Sequence, residues 1–422
     1  MKNSSSVNLP IGIALLPIIF LVLLLSINVF IYGDDSLNGT NQFILILSGL
    51  FGASIGFIYK VSYKDILKSI SNSVKSVTGA LLILLFVGAL AGTWMISGII
   101  PSMVYYGLKI LDPNIFLPAC IIICSIISVA TGSSWTTSAT VGIALIGIGR
   151  ALDIPVGMVA GAVISGAYFG DKLSPLSDTT NLAPAMAGSD LFTHIRYMTH
   201  TTVPSIVITL IVFLILGFFQ NTTGAADTDI LLTSIKESFT INLGLFLVPV
   251  LVIFLIIRKT PPLAALLAGT LLGGLFALIF QPDLVVKIAG ATTLSITSAY
   301  QGVMNAIIGD ISVTTSNELL NDLFSSGGMK GMLGTIWLIV CAMVFGGIMD
   351  AIGGLQRLSN ALLSIAQSTF QLFASTAASC VVINLTASDQ YLSIVLPGKM
   401  FNKAFADKNL APENLSRTLE DS

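Results

Sequence analysis

The residue types best suited to binding a small cation are concentrated in one polar stretch, GDKLSPLSDTTN, at positions 170–181. Carboxylate, hydroxyl and carbonyl oxygens are the ligands that hard cations prefer. A carboxylate can also hold a proton in place of the cation. We therefore predict that a small cation and a proton compete for Asp171 or Asp178, with further oxygen ligands from Ser174, Ser177, Thr179, Thr180 and Asn181.

Proline makes this polar stretch irregular. Pro175 lies inside it and Pro184 follows it, and proline interrupts the hydrogen-bond pattern of a helix. In a lipid bilayer, interrupted backbone is tolerated only where protein buries it or where it lines a wet cavity. These facts favour a sheltered ion site. The alternative is a cytoplasmic loop whose Ser, Thr and Asp side chains cap helices.

Two further polar runs interrupt apolar sequence. The run TGSSWTTSAT contributes hydroxyl groups, and the run TASDQ adds a carboxylate, which is a functional candidate by default on a membrane segment. We predict that both supply a supporting polar shell, made of Thr131, Ser133, Ser134, Thr136, Thr137, Thr386, Ser388 and Asp389. The alternatives are hydroxyls that bond to carbonyls of their own helix and an interfacial position for Asp389.

The elements that carry these residues are predicted from hydropathy. The 422 residues are 54% hydrophobic and only 9% charged, with a mean hydropathy of +0.93, whereas soluble domains are roughly a quarter charged. Apolar runs long enough to cross a bilayer recur throughout, and about ten or eleven can be drawn. The prediction is an all-α polytopic membrane protein with broken or re-entrant helices. The segment from Tyr63 to Ser76 is predicted to be a separate short helix, polar or interfacial.

Internal similarity predicts a duplicated unit. AGTWMISG, which contains Gly92, aligns with FGGIMDAIGG, which contains Gly346, and the same offset brings TGSSW close to TASDQ. Duplicated halves of transporters are often inverted around a central site. We therefore predict an N-terminal helix in residues 1–40, a first repeat with the ion-site motif in residues 41–220, and a second repeat in residues 221–422.

Charge, small residues and cysteines give four further expectations. Basic residues favour cytoplasmic loops, so Lys60, Lys64, Lys68 and Lys75 predict a cytoplasmic N-terminus. The net charge of −2 and the lack of a basic, aromatic run exclude nucleic acid as a partner. GxxxG spacing at Gly157 and Gly161 and at Gly166 and Gly170 predicts close helix packing. The four cysteines lie in apolar runs and are expected to be buried thiols.

The sequence resembles a known family. TGSSW, followed by GMVAGAVISGAYFGDKLSPLSDTTNLAPAMAG at positions 157–188, is similar to the signature region of the NhaC type sodium/proton antiporters. The resemblance implies membership of the ion transporter superfamily and two inverted halves. In relatives the motif LSRTLEDS leads into another polar break and closing spans, with Asp421 corresponding loosely to Asp171. The resemblance thus implies that the second repeat here ends before its final re-entrant segment and closing helices.

The resemblance implies sodium/proton exchange across the cytoplasmic membrane, with sodium and protons as cargo at one site and no cofactor. The alternative is a sodium-coupled transporter or exchanger of a small organic acid, such as malate or lactate, or of an amino acid. A solute carboxylate needs a cationic contact, for which Lys172 is the charged candidate in the signature. An enzyme is not expected, because the chain has two histidines and no HExxH pattern. A passive channel and a homodimer remain open alternatives.

Overall fold

The computed structural model is helical almost throughout, as predicted. It describes residues 9–110, 112–175, 177–219, 225–258, 260–315, 321, 324–387 and 390–422. Within these ranges the strands are confined to an antiparallel pair, β1 (Ile311–Ser312) and β2 (Ser325–Ser326). Helices dominate because lipid offers no hydrogen-bond partners to an open backbone.

The chain divides into two compact units, and two of the dividing points lie within long helices, α3 and α10. The first unit contains residues up to 81, residues 178–198 and residues 334–422. Its helices are α1 (Ile11–Tyr32), α2 (Thr40–Ile58), the first part of α3 (Tyr63–Ile96), α9 (Asp178–Ala187), the start of α10 (Leu191–Phe219), α17 (Leu333–Ala351), α18 (Gly354–Ile365), α19 (Thr369–Ala387), α20 (Gln390–Asp407) and α21 (Pro412–Asp421).

Two apolar clusters hold the first unit together. In one, Phe345, Ile348 and Ile352 are buried with residues of α1 and α2. In the other, Leu415 and Leu419 of α21 are buried with apolar residues of α9, α19 and α20. These buried contacts pack α21 against α9 within the first unit.

The second unit contains residues 82–177 and 199–333. Its helices, besides the remaining parts of α3 and α10, are α4 (Ile99–Ile110), α5 (Phe116–Thr131), α6 (Ser134–Thr137), α7 (Ile143–Ala151), α8 (Val156–Lys172), α11 (Ala225–Ser238), α12 (Leu247–Ile257), α13 (Pro262–Phe280), α14 (Pro282–Ile288), α15 (Ile296–Ile308) and α16 (Gly328–Gly331). One apolar core joins α4, α5, α7, α8 and α13.

The membrane-spanning helices are partly continuous and partly bent. Six helices in the described residues are long and apolar enough to cross a bilayer, and two bent pairs raise the number to eight. One pair, Ile99–Lys109 with Pro113–Val129, bends by 108°, and the other, Ile230–Ser238 with Leu243–Leu255, bends by 82°. The protein is therefore a multi-pass membrane protein with broken helices, as predicted. The inverted repeats and their boundaries stay predictions.

Two local expectations have different outcomes. The prediction of a separate short helix from Tyr63 to Ser76 is wrong, because α3 runs without interruption from Tyr63 to Ile96. Its polar start contains no proline or glycine before Gly79 to end the helix. The four cysteines are buried and free of disulfides, as predicted.

Candidate ion-binding site

The site in the second unit is built on the close approach of α5 and α8. A Cβ atom on Gly166 would overlap the carbonyl oxygen of Ile121, and one on Gly170 would overlap the carbonyl oxygen of Ser125. Small residues permit such backbone contact between membrane helices. The two glycines therefore bring the carboxyl end of α8, which carries Asp171, against the end of α5.

The polar run after α5 breaks the helix. Gly132 adopts a left-handed φ of +68°, and its N–H donates to the Ser128 carbonyl oxygen at 2.8 Å. This is a common way to end a helix, and glycine adopts the conformation without strain. The chain then forms α6 and a π-helical turn at Ser138–Gly142, a departure from regular helix that is frequent at functional sites.

The break places a hydroxyl group on the carboxylate of α8. Ser134 Oγ donates to Asp171 Oδ2 at 2.8 Å, although the two residues are 37 positions apart. Ser134 is buried and Asp171 is half-buried. A short hydrogen bond to an ionised acceptor is stronger than one between neutral groups. The first polar run and the polar stretch therefore meet at these two side chains.

Ser174 fixes the turn that follows α8. It is fully buried, and its Oγ donates to the Val129 carbonyl oxygen of α5 at 2.8 Å. Seven residues before Ser174, the Ala167 carbonyl oxygen accepts from Ser128 Oγ. Both bonds join α5 to the α8 segment, so they orient Asp171 from its two sides along the chain. Ser177 is also buried.

Thr137 matches the alternative in which a hydroxyl group bonds to a carbonyl oxygen of its own helix. Its Oγ1 donates at 2.9 Å to the carbonyl oxygen of Ser133, four residues earlier in the same segment. The side chains of Thr131 and Thr136 lie outside the part of the chain that is described in atomic detail. Within that part, the hydroxyl group of Ser134 lies 2.8 Å from a carboxylate oxygen, that of Asp171.

A cavity of about 480 Å³ lies beside Ser134 in the second unit. Its polar lining comes from Ser134, Ser138, Trp135 and Tyr168, and its described lining carries no charged side chain. The remaining lining is apolar: Ile83, Leu84, Val87, Ile143, Ile164 and Met332. Ser134 thus lines the cavity, and its hydroxyl group contacts Asp171.

The end of the polar stretch belongs to the first unit. Thr179 and Thr180 lie in the first turn of α9 and are buried. Thr179 Oγ1 donates to Glu420 Oε1 at 2.9 Å, and Thr180 Oγ1 lies 3.5 Å from the same oxygen. Glu420, on α21, is only 5% exposed. Asn181 is exposed on the surface of α9.

The structure therefore distributes the predicted residues over both units. Asp171 closes α8 in the second unit, whereas Asp178 opens α9 in the first. The Asp178 side chain and that of Thr386, in the last turn of α19, are outside the described side chains, and Ser388 and Asp389 are outside the described residues. No cluster of three His, Cys, Asp or Glu residues that could hold a resident metal occurs among the residues described.

Glu420 is the residue that sequence reasoning missed. The motif LSRTLEDS directed attention to Asp421 by analogy with Asp171, but Asp421 is exposed. A usable signal was present, because Leu415 and Leu419 are four residues apart, and Ser416 and Glu420, each one position later, form the adjacent row on the helix. That pattern indicates that Glu420 borders the apolar side of the helix.

Comparison with known proteins agrees with the membrane fold. The profile of the Na+/H+ antiporter family matches residues 166–422. The Na+/H+ antiporter NhaC of Alkalihalophilus pseudofirmus is 39% identical, over 90% of this chain and 79% of the relative. The malate-2H+/Na+-lactate antiporter of Bacillus subtilis is 37% identical, over 95% and 82%. NhaC of Bacillus subtilis is 34% identical, over 89% and 81%. This chain belongs to the Na+/H+ antiporter family.

Proposed function

We propose that the protein is a secondary active transporter that exchanges sodium for protons across the cytoplasmic membrane, with Asp171 as an exchanging carboxylate. The contact between Ser134 and Asp171 at a break between membrane helices is the observation that supports this most directly. The NhaC relatives supply the class of cargo. Asp178 and the other oxygen-bearing residues of the polar stretch remain part of the proposal from sequence.

Competition for one carboxylate would couple the two fluxes. A charged carboxylate away from water is costly, so the site is most stable when either a proton or a cation neutralises it. Sodium binds after the proton leaves. The Ser134 hydroxyl donates one hydrogen bond and keeps oxygen lone pairs, so it can turn from stabilising the carboxylate to contacting the ion.

The second candidate is exchange of a small organic acid. The relative named as a malate-2H+/Na+-lactate antiporter favours it. A di- or monocarboxylate needs a cationic or helix N-terminal contact, and the described lining of the cavity beside Ser134 offers no cationic side chain. Lys172, half-buried next to Asp171, is the basic group nearest in sequence. The cavity lining therefore supports the inorganic cation over the organic anion.

The proposal also covers the orientation of the protein in the membrane and its cargo. The basic residues Lys60, Lys64 and Lys68 near the start of α3 favour a cytoplasmic position for that end of the helix, and therefore a cytoplasmic N-terminus. Sodium and protons are cargo, and no organic cofactor is required for competition at a carboxylate. A homodimer is compatible with the proposal but is not part of it.

The decisive assay is solute exchange by purified protein in liposomes that enclose a pH-sensitive dye. Salts of sodium, lithium and potassium are added as chlorides, and sodium is then added with malate, lactate or arginine. Sodium chloride alone should drive protons against their gradient. Proton movement that requires an organic solute would replace the proposal with the second candidate, and fluxes that never run uphill would indicate a channel.

A further inference from the structure

One face of α21 is attached to the neighbouring helices of the first unit by side-chain hydrogen bonds. Glu413, Ser416 and Glu420 are spaced three and four residues apart, so they lie on the same side of the helix. Ser189 Oγ donates to Glu413 Oε1 at 3.2 Å. Ser416 Oγ lies 2.8 Å from His194 Nδ1. Glu420 is the last of these three residues and accepts from Thr179.

Glu420 differs from the other two residues of this face in its chemistry and burial. Its carboxylate is 5% exposed, and the hydroxyl groups of Thr179 and Thr180 lie 2.9 and 3.5 Å from one of its oxygens. Thr179 is 8% exposed and Thr180 is fully buried. Three oxygen-bearing side chains therefore converge in a place from which most water is excluded. Such a set suits a proton or a small hard cation.

Attachment of α21 does not require a buried carboxylate at this position. Leu415 and Leu419 already bury apolar surface against the unit, and Glu413 makes a comparable hydroxyl contact while remaining half-buried. An ionised group on a membrane protein is costly when it is removed from water and is a functional candidate by default. The burial of Glu420 is thus better explained by ligand binding than by packing.

Other titratable groups belong to the helices packed around α21. Arg417 and Asp421 lie on α21 itself, and Arg417 stacks over the Tyr197 ring with 4.8 Å between guanidinium and ring centroid. His194 faces α21 through Ser416. The remaining groups on the packed helices α9, α19 and α20 are Asp178, Cys380, Tyr391, Lys399, Lys403 and Asp407.

We infer that Glu420 is a second carboxylate that binds a proton or sodium, within the first unit and with the hydroxyl oxygens of Thr179 and Thr180 as co-ligands. The inference rests on the proposed sodium/proton exchange for its cargo. The O–H bond of the protonated carboxyl breaks, the proton leaves to water, and sodium takes its place on the carboxylate oxygen. No oxidation or group transfer is involved.

Sodium binding can be measured apart from transport. Purified protein is heated in sodium chloride or in choline chloride of equal ionic strength, at several pH values, and the midpoint of unfolding is recorded. The Asp171→Asn variant serves as background, so that the remaining sodium effect reports on other sites. In that background, Glu420→Gln should raise the sodium concentration for half-maximal stabilisation about tenfold or more, the size expected for losing contacts with a charged group.

Glu413→Gln in the same background is the matched control and should leave the sodium effect unchanged. If Glu420→Gln also leaves it unchanged at every pH, the inference is overturned. If the Glu420→Gln protein does not accumulate, Glu420→Asp is used instead, because it keeps the charge but shortens the side chain by one methylene group. An unaltered sodium effect in Glu420→Asp would also overturn the inference.

The same preparations separate this inference from the proposed function. Wild-type protein in liposomes is tested for sodium-driven proton movement alongside the heating experiment. Absence of exchange together with a sodium effect that depends on Glu420 would refute the transport proposal and retain the binding site. Sodium-driven exchange together with a sodium effect that Glu420→Gln does not change would retain the transport proposal and refute the binding site.

Discussion

At the scale of single residues, the proposed exchange depends on how the Asp171 carboxylate is held. Asp171 is oriented by the hydroxyl of Ser134, which reaches it from a different helix. Ser174 anchors the following turn to the Val129 carbonyl oxygen. The Ser134 hydrogen bond acts on the carboxylate directly, whereas the Ser174 bond acts on the backbone that carries it, so their removal should have different effects.

Ser134→Ala should weaken sodium binding without unfolding the protein. The variant loses a hydrogen bond to a charged group, which contributes about 1.5–3 kcal/mol, so the sodium concentration for half-maximal exchange should rise about tenfold. Ser165→Ala is the control, because Ser165 Oγ bonds to the Gly161 carbonyl oxygen within α8 itself. Equal sodium dependence in the two variants would remove Ser134 from the site.

The identity of the polar residues could be predicted from sequence, but which of them meet in the folded protein could not. The sequence placed oxygen-bearing side chains at positions 131–137 and 170–181, and the structure joins Ser134 to Asp171. At the end of the chain, however, Asp421 is exposed and its neighbour Glu420 is buried. Which of two adjacent acidic residues faces a partner depends on how α21 is rotated against α9, and this is set by Leu415 and Leu419.

At the scale of elements, glycine spacing likewise does not reveal which positions make contact in the folded protein. The GxxxG pairs of α8 predicted close packing along the whole helix. The structure places Gly166 and Gly170 against the α5 backbone, whereas a Cβ on Gly157 would meet nothing within 4 Å. The spacing therefore identifies positions that permit contact, but the partner helix decides which of them is used.

Gly166→Ala should destabilise the protein, and Gly157→Ala should not. The added methyl group must displace the α5 backbone at Gly166, and overpacking of this kind typically costs about 1–3 kcal/mol. At Gly157 the same change meets open space and favours the helix. Unfolding midpoints in detergent measure both variants. A midpoint for Gly166→Ala at or above that of Gly157→Ala would show that α5 and α8 are not in backbone contact.

At the scale of the whole molecule, hydropathy predicts where helices cross the membrane but not where they bend. The apolar runs that predict α1, α2, α10 and α13 coincide with helices long enough to span. The run at Pro113–Val129 instead forms one arm of a pair bent by 108°. The bend lies at Asp112 and Pro113, where the Asp112 side chain accepts from the Asn114 N–H, and hydropathy does not reveal such a cap. Hydropathy also does not reveal that the polar start of α3 continues without a break into a span.

The proposed orientation can be tested with single cysteines on either side of α2. Asn38 and Lys64 are exposed and lie before and after that helix. In intact cells, a membrane-impermeant maleimide should label Asn38→Cys, and it should label Lys64→Cys only after permeabilisation. The wild-type protein is the control, because its four cysteines are buried. The reverse labelling pattern would place the N-terminus outside.

The central claim is that Asp171 exchanges sodium for a proton, and proton release in everted membrane vesicles tests it most directly. Sodium addition should release protons in vesicles with the wild-type protein or with Asp153→Asn, a control at an exposed carboxylate of the same unit. Asp171→Asn, at equal protein level, should reduce the signal to that of vesicles lacking the protein. Sodium-driven proton release that persists at the wild-type rate in Asp171→Asn, and in the double variant with Asp178→Asn, would contradict the account.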